Sequence, residues 1–554
     1  MNGFVILLVA LVLFIVAYAT YGAWLCKQWG VDPTRKTPAV EKSDGGDYVP
    51  TSTAVLLGHH FASIAGAGPI TGPINAAFFG WVPVFLWVVI GGIFFGGVQD
   101  FSALFASIRH DGKTIGEVIE HHIGHKCKMI FNIFVFLVLL LVVAAFSDIV
   151  AGTFASVPAA DTEIALANAR SAGSVATASM CFIPLAVLFG LLQRRNHNLI
   201  VNTVIGVALL CGSIALGLAF PLMNLSKGFW LTITFVYIFI ASVAPVWILL
   251  QPRDYLNSFL LYAIILLSIV GIAAARPDMT LPAFTGFVVN GQPLFPVLFI
   301  TIACGAISGF HSLIASGTTS KQLDNEGHAK VIGYGGMLIE CALAIIALVA
   351  VGSARGQELA ASGSGPAAIF SNGIASFAAV IGLPEATTAT VIALAYSAFC
   401  LTSLDTATRL GRMIFQEMFD GFGVKALQNK YVATLITVVL SALLAGAGYQ
   451  KIWPLFGAAN QLVAVPAFLA CAVWFKHIGR NNKMFIAPMF FMLAATLSSL
   501  ALSFYNNVMK LMAGTGAFGK EGLQCIIIVP VVVLALIITV DGLKALKARD
   551  PQKA

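Results

Sequence analysis

Apolar runs of about 20 residues, the length that crosses a bilayer as a helix, recur along nearly the whole chain. Short polar gaps and glycine or proline breakers separate them. Fifteen runs qualify as transmembrane helices: 4–25, 53–75, 81–108, 129–155, 174–192, 199–222, 229–250, 255–275, 293–317, 331–353, 385–402, 431–447, 452–475, 484–505 and 523–540. A further apolar stretch, 366–382, reads as an interfacial helix or a sixteenth span. The first run has no basic segment before it and is long enough to span, so it reads as a retained helix and not a cleaved leader.

Basic residues give an independent test. None of the 31 Lys and Arg falls inside a proposed span. With alternate loops on opposite sides and the N-terminus outside, 24 of the 31 lie in loops 26–52, 109–128, 193–198, 251–254, 318–330, 402–430 and 476–483 and in the tail after 540. That asymmetry is the positive-inside rule, and it implies a cytoplasmic C-terminus. Composition agrees. Of 554 residues 59% are hydrophobic and only 10% charged, against about 25% charged in soluble proteins. A soluble enzyme, a nucleic-acid binder, a disordered chain and a disulfide scaffold are excluded. The nine cysteines include no CxxC pair and read as small buried hydrophobes.

Two spans carry dense breakers. The second contains Ala65-Gly66-Ala67-Gly68-Pro69-Ile70-Thr71-Gly72-Pro73, and the ninth contains Cys304-Gly305-Ala306-Ile307-Ser308-Gly309-Phe310-His311-Ser312. Proline lacks the amide proton and glycine resists helix, so both stretches free backbone groups that lipid cannot satisfy. Two readings stand: close packing through small residues, or discontinuous helices whose exposed ends bind the charged groups of a solute. The two spans run in opposite directions, as two five-helix units related by an inverted repeat require. The expected division is 1–52 (N-terminal helix and loop), 53–222 (first repeat), 223–292 (inserted pair), 293–475 (second repeat) and 476–554 (C-terminal helices and basic tail).

Ionisable residues inside spans are costly and mark function. By a rise of about 1.5 Å per residue, His60, Asp100, His311 and Glu340 lie about 9–14 Å from the inner end of their spans, in one layer. Such a layer can carry a coupling proton or ligate a divalent metal such as zinc. Asp148 also lies in a span, and Glu385, Asp405 and Asp541 lie at edges. Adjacent His59 points elsewhere on its helix. Asp405 and Arg409 are expected to pair at i, i+4 as part of an inner gate. Glu117, His121 and His125 share i, i+4, i+8 spacing in an inner loop, which reads as one face of a solvated amphipathic helix. Asn460 and Gln461 lie mid-span, where their amides either bind helices together or contact solute.

Gly58-His59-His60-Phe61 through Gly66-Ala67-Gly68-Pro69, Val98-Gln99-Asp100-Phe101, Ser308-Gly309-Phe310-His311 through Ser316-Gly317-Thr318-Thr319, and the run Trp453 to Leu462 together resemble the carbon starvation protein (CstA) family. The resemblance implies an inner-membrane protein that takes up peptides or pyruvate in carbon starvation. It also implies a LeuT-like inverted repeat, shared with amino acid–polyamine–organocation transporters. The expectation is an all-α polytopic protein of about fifteen spans, a 5+5 repeat with extra helices. The resemblance implies a secondary active transporter whose expected partners are the lipid bilayer and a small organic solute, and not nucleic acid. Gly66, Ala67, Gly68, Pro69, Ser308, Gly309, Phe310, His311, Asn460 and Gln461 are the expected solute contacts. His60, Asp100, His311 and Glu340 are the expected carriers of a coupling proton, with a divalent metal at those four as the alternative and no organic cofactor. A membrane-embedded metalloenzyme and a solute receptor without transport are the rival readings. No GxxxxGK[ST] motif supports ATP-driven transport.

Overall fold

The computed structural model describes residues 2–45, 47–158, 163–195, 199–245, 248–419, 424–446 and 449–548. Arg549 and Lys553 of the tail and the last residue of the span 431–447 lie outside these. The helices are α1 (Gly3–Ala19), α2 (Tyr21–Trp29), α3 (Thr53–Ile64), α4 (Gly68–Ala76), α5 (Trp81–Gly91), α6 (Gly97–Arg109), α7 (Ile115–His122) and α8 (His125–Phe154). Then come α9 (Glu163–Arg195), α10 (Leu199–Ala219), α11 (Lys227–Val243), α12 (Leu250–Ala275), α13 (Leu294–Thr301), α14 (Gly309–Gly317) and α15 (Gly336–Gly352). The chain continues with α16 (Ala354–Ala361), α17 (Pro366–Ala379), α18 (Glu385–Met418), α19 (Lys430–Ala445), α20 (Tyr449–His477), α21 (Lys483–Met512) and α22 (Leu523–Lys547).

Among the described residues each of the fifteen expected segments contains helix, interrupted at 65–67 in the second and 302–308 in the ninth; residues 246 and 247 of the segment 229–250 lie outside the described residues. Among the described residues eleven continuous helical stretches are long and apolar enough to cross a membrane, and α3, α11 and α19 are shorter apolar helices. These eleven stretches, together with the shorter α11 and α19 and the interrupted pairs α3/α4 and α13/α14, correspond to the fifteen expected segments. The stretch 366–382 forms the 14-residue α17, too short to be a span. Among the described residues one two-stranded hairpin, β1 (Val288–Val289) with β2 (Gln292–Pro293), is the exception to all-α structure. Two boundaries matter for the chemistry. Helix α12 begins at Leu250, so the expected loop residues Arg253 and Asp254 lie inside a helix. Helix α18 runs on to Met418, so Asp405 and Arg409 are internal to it.

Loops assigned to one side meet at one end of the molecule. The Val49 amide donates to Lys321 O, Tyr48 Oη donates to Asp111 O, and Arg109 pairs with Glu326 at 2.6 Å. Arg480 Nη1 donates to Gln28 O at 3.0 Å. At the opposite end Gly3 N donates to Pro277 O, Trp81 N to Pro282 O, and Thr280 N to Gly352 O. The basic loops thus share a face, as the charge count requires.

Packing within the bundle is paired. Helix α11 packs on α8, α18 and α19, and α19 packs on α18, α8 and α11. Helix α12 packs on α3 and α18, while α20 packs on α14 and α8. Helices α9 and α10 pack chiefly on each other, and most of the described α10 is not buried.

Candidate functional site

Both breaker-rich segments are discontinuous. Helix α3 stops at Ile64, where Ala65 leaves helical geometry (ψ 67°) and Gly66 N donates back to Ile64 O at 2.8 Å. Helix α4 restarts at Gly68 with Pro69 in its first turn, where the missing amide proton costs nothing. The second break runs over residues 302–308, between α13 and α14. The two breaks touch. A Cβ on Gly72 would lie 2.9 Å from Thr301 O, and one on Gly305 would lie 3.6 Å from Pro69 Cα. Small residues therefore let the unwound backbones cross.

The freed backbone groups find side-chain partners. Gln99 Nε2 donates to Ser308 O at 2.7 Å. Asn460 Oδ1 accepts from Phe310 N at 2.8 Å, and its Nδ2 donates to Ser308 Oγ at 3.0 Å. Gln461 Nε2 donates to Phe299 O at 2.9 Å. Ser403 Oγ donates to Ser63 O at 3.0 Å, tying the first break to α18. Of the two readings open for Asn460 and Gln461, their hydrogen bonds match helix-binding. Both cap the ends of the broken pair.

Beside the second break, three of the four expected layer residues converge. His311 Nδ1 lies 3.0 Å from Asp100 Oδ2, and His311 Nε2 lies 3.5 Å from Glu340 Oε2. All three side chains are fully buried. The second contact is an ion-pair distance outside hydrogen-bond geometry, so His311 Nε2 and both Glu340 oxygens have no hydrogen-bond partner among the described residues. Cys304 Sγ, from the break itself, lies with ligand atoms of His311 and Glu340 in a group no wider than 4.8 Å. His60 is not bonded to this group. Its Nδ1 meets Thr319 Oγ1 at 2.8 Å, and its ring faces Gly336, one turn before Glu340.

A second buried network was hidden from sequence reading. Arg253 binds Asp405 and Tyr237 Oη through Nη1, and Asp254 and Thr402 through Nη2 at 3.1 and 3.2 Å. Asp254 Oδ2 then meets His59 Nδ1 at 3.1 Å. The expected Asp405–Arg409 pair does not form. Asp405 turns to Arg253 on α12 and Tyr237 on α11, and Arg409 donates to Ala244 O at the end of α11. Placing Arg253 and Asp254 in a loop concealed the network. The signal available was a charged Arg-Asp pair flanked by apolar residues with no glycine nearby. His59 lines a cavity of about 340 Å³ with Thr51, Ser52, Gln251 and Gln322, at the end shared by the basic loops. At the other end a cavity of about 760 Å³ lies between α8, α9, α16, α17 and α18, and Arg355 is its charged residue.

The other acids have local partners. Asp148 accepts from Lys227 Nζ at 2.8 Å, and Asp541 from Lys544 at 2.9 Å; Glu385 lies on the first, exposed turn of α18. The expected face of Glu117, His121 and His125 is corrected. Helix α7 ends at His122 and Gly124 (φ +133°) turns the chain, so His125 starts α8. Glu117 and Glu120 pair with Lys128 instead. His122 Nε2 lies 2.8 Å from His110 Nε2, and its Nδ1 lies 3.1 Å from His477 Nδ1. Burial, and then the neighbouring imidazoles, hold the His122 pKa down to about 3. Burial also lowers His110.

Comparison with known proteins bears on this architecture. The family model described as carbon starvation protein CstA matches residues 2–359 and 351–499. The peptide transporter CstA of Escherichia coli is 33% identical, over 90% of this chain and 80% of its own length. The peptide transporter CstA of Bacillus subtilis is 30% identical over 98% of this chain and 97% of its own. The pyruvate/proton symporter BtsT of Escherichia coli is 32% identical over 89% and 80%. These relatives are transporters and not enzymes. A solved manganese transporter of Eremococcus coleocola superposes at TM-score 0.51 with 12% identity, covering 91% of this chain and 99% of its own. At that identity the likeness concerns the fold, which is the LeuT-like transporter fold.

Proposed function

The chain belongs to the carbon starvation protein CstA family, and from that premise we propose that it is a proton-coupled importer of a small carboxylate-bearing nutrient, pyruvate or a short peptide. It works by alternating access in the bacterial inner membrane, with the basic face cytoplasmic. One observation carries the reading: two discontinuous helices cross at their unwound segments, and the Asp100–His311–Glu340 triad sits against one of them. The solute lies between Gly66–Pro69 and Ser308–His311. The first turns of α4 and α14 direct amide dipoles at its carboxylate. Asn460 and Gln461 position the second break and do not themselves grip the solute.

The triad carries the proton. Moving a proton among one imidazole and two carboxylates changes the charge beside the break by one unit, which biases how α14 packs on α6 and α15. His60 lies one helical turn along α15 from Glu340 and relays the proton toward Thr319. The name of the pyruvate/proton relative supports coupling to protons.

The paired packing supports a 5+5 repeat with a changed division. Helices α3/α4, α5/α6, α8, α11 and α12 form the first unit, and α13/α14, α15, α18, α19 and α20 the second. The inserted pair then moves from 223–292 to α9 and α10. These two pack on each other at the periphery, whereas α11 and α12 make the contacts that α19 and α20 mirror.

Counterflow in proteoliposomes with labelled pyruvate and short peptides, with and without a pH gradient, tests the function. Uptake driven by an inward proton gradient and lost in Glu340→Gln and Asp100→Asn is expected. Flux indifferent to the gradient and unaltered in both variants removes the proton relay, and binding without flux removes transport itself.

A further inference from the structure

The triad has an asymmetry that proton carriage does not require. Asp100 occupies the Nδ1 side of His311 at 3.0 Å, which orients the ring. The Nε2 side faces Glu340 at 3.5 Å, and one ligand atom each from Cys304, His311 and Glu340 lie within 4.8 Å of one another. Asp100 behind, imidazole between, and a thiol and carboxylate in front is the arrangement by which proteins hold transition metals: an outer carboxylate fixes the tautomer and raises ligand basicity. The atoms on the inner side are His311 Nε2 and both oxygens of Glu340. They are fully buried and lack hydrogen-bond partners among the described residues.

We propose that Cys304, His311 and Glu340 form a binding site for a soft divalent metal, zinc by ligand type, with Asp100 as the outer carboxylate. Thiolate, imidazole and carboxylate are the zinc donor set, and three protein ligands leave a fourth position open. Binding releases the thiol proton and any proton held on Glu340 or Nε2, so the metal and the coupling protons compete for the same lone pairs. A bound metal would also clamp the break to α15, since Cys304 lies in the unwound segment and Glu340 on the neighbouring helix. The site differs from the four-residue layer expected from the sequence. Cys304 replaces His60, and Asp100 moves behind the histidine. Access of the metal rests on the transport reading, in which this layer opens to water in turn.

The test is cobalt titrated into the purified full-length protein in detergent. A single Co²⁺ per chain with a thiolate-to-cobalt charge-transfer band is expected, and Zn²⁺ displaces it. Cys304→Ser removes the band, Cys400→Ser on α18 keeps it, and Asp100→Asn keeps it with affinity lower by about 10–100-fold. If Cys304→Ser does not fold, Glu340→Gln serves: it weakens binding at least as much as Asp100→Asn. No band in the wild type, a band that survives Cys304→Ser, or unchanged affinity in Glu340→Gln overturns the proposal. Cobalt binding is read without transport, so vesicles that show the band but no solute flux refute the transporter reading and leave the metal site standing.

Discussion

A Cβ placed on Gly68 would lie 2.5 Å from both Cβ and Sγ of Cys304, closer than real side chains approach. The two helix breaks are therefore in direct contact, and glycine at position 68 is what permits the crossing. Everything proposed for the site depends on this contact, since it brings the ends of α4 and the 302–308 segment together.

Gly68→Val should overpack the crossing. The expected cost is about 1–3 kcal/mol of stability, with counterflow lost while the protein still inserts and elutes as a single species. Cys304→Gly added to Gly68→Ala should recover part of the thermal stability lost in Gly68→Ala alone. Additive losses in the double variant would show that the two positions do not touch.

The Arg253 network predicts a sharper asymmetry. Arg253 holds two carboxylates, Asp254 and Asp405, in a fully buried place. Arg253→Met leaves Asp405 without its cation and Asp254 with His59 alone, and breaking a buried pair costs about 3–5 kcal/mol. Adding Asp405→Leu removes one orphaned charge and should raise the melting temperature above that of the single variant. Thermal unfolding in detergent measures this, and a double variant no more stable than Arg253→Met refutes the pairing.

Acid should weaken the cluster of His110, His122 and His477. His122 is held down to about 3 in the folded chain, against about 6.5 when unfolded. The unfolded chain therefore binds more protons below that value, so the contribution is full above pH 6.5 and is lost as the pH falls from 6.5 towards 3. The groups facing it are His110, His121 and His477. Melting temperatures measured between pH 7.5 and 5 should fall less steeply for His122→Gln than for the wild type. Parallel slopes would mean that His122 is solvated.

Asn460 satisfies the Phe310 amide freed by the second break and also donates to the Ser308 hydroxyl. Asn460→Ala leaves the buried Phe310 amide without its acceptor, which costs about 1–3 kcal/mol. Asn460→Asp keeps the acceptor and should lose less stability at neutral pH. Equal losses in the two variants would show that the amide is not capping the break.

Much of this was legible in one dimension. Hydropathy located the long apolar helices, though not α16, the basic residues grouped several loops at one end, and Pro69 and the run from Cys304 to Ser308 marked both breaks. Each signal is local: crossing lipid, retaining a positive charge in the cytoplasm and losing a backbone hydrogen bond are decided within a few residues. Depth along a helix is also additive, which is why Asp100, His311 and Glu340 emerged as one layer.

The azimuth of each side chain is not local. Which way a residue faces depends on where its helix begins, how it is rotated and what packs against it. His60 and His311 share a depth, yet one meets Thr319 and the other Asp100. Asp405 sits one turn from Arg409 and pairs with Arg253 on another helix, because α12 starts a full turn earlier than its apolar run suggests. The sequence by itself determined a membrane chain with its basic loops grouped together, two interrupted spans and an ionisable layer. The tertiary structure alone decided who pairs with whom, because burial makes each charge take the nearest partner across a helix interface, and interfaces are set by packing and not by spacing along the chain.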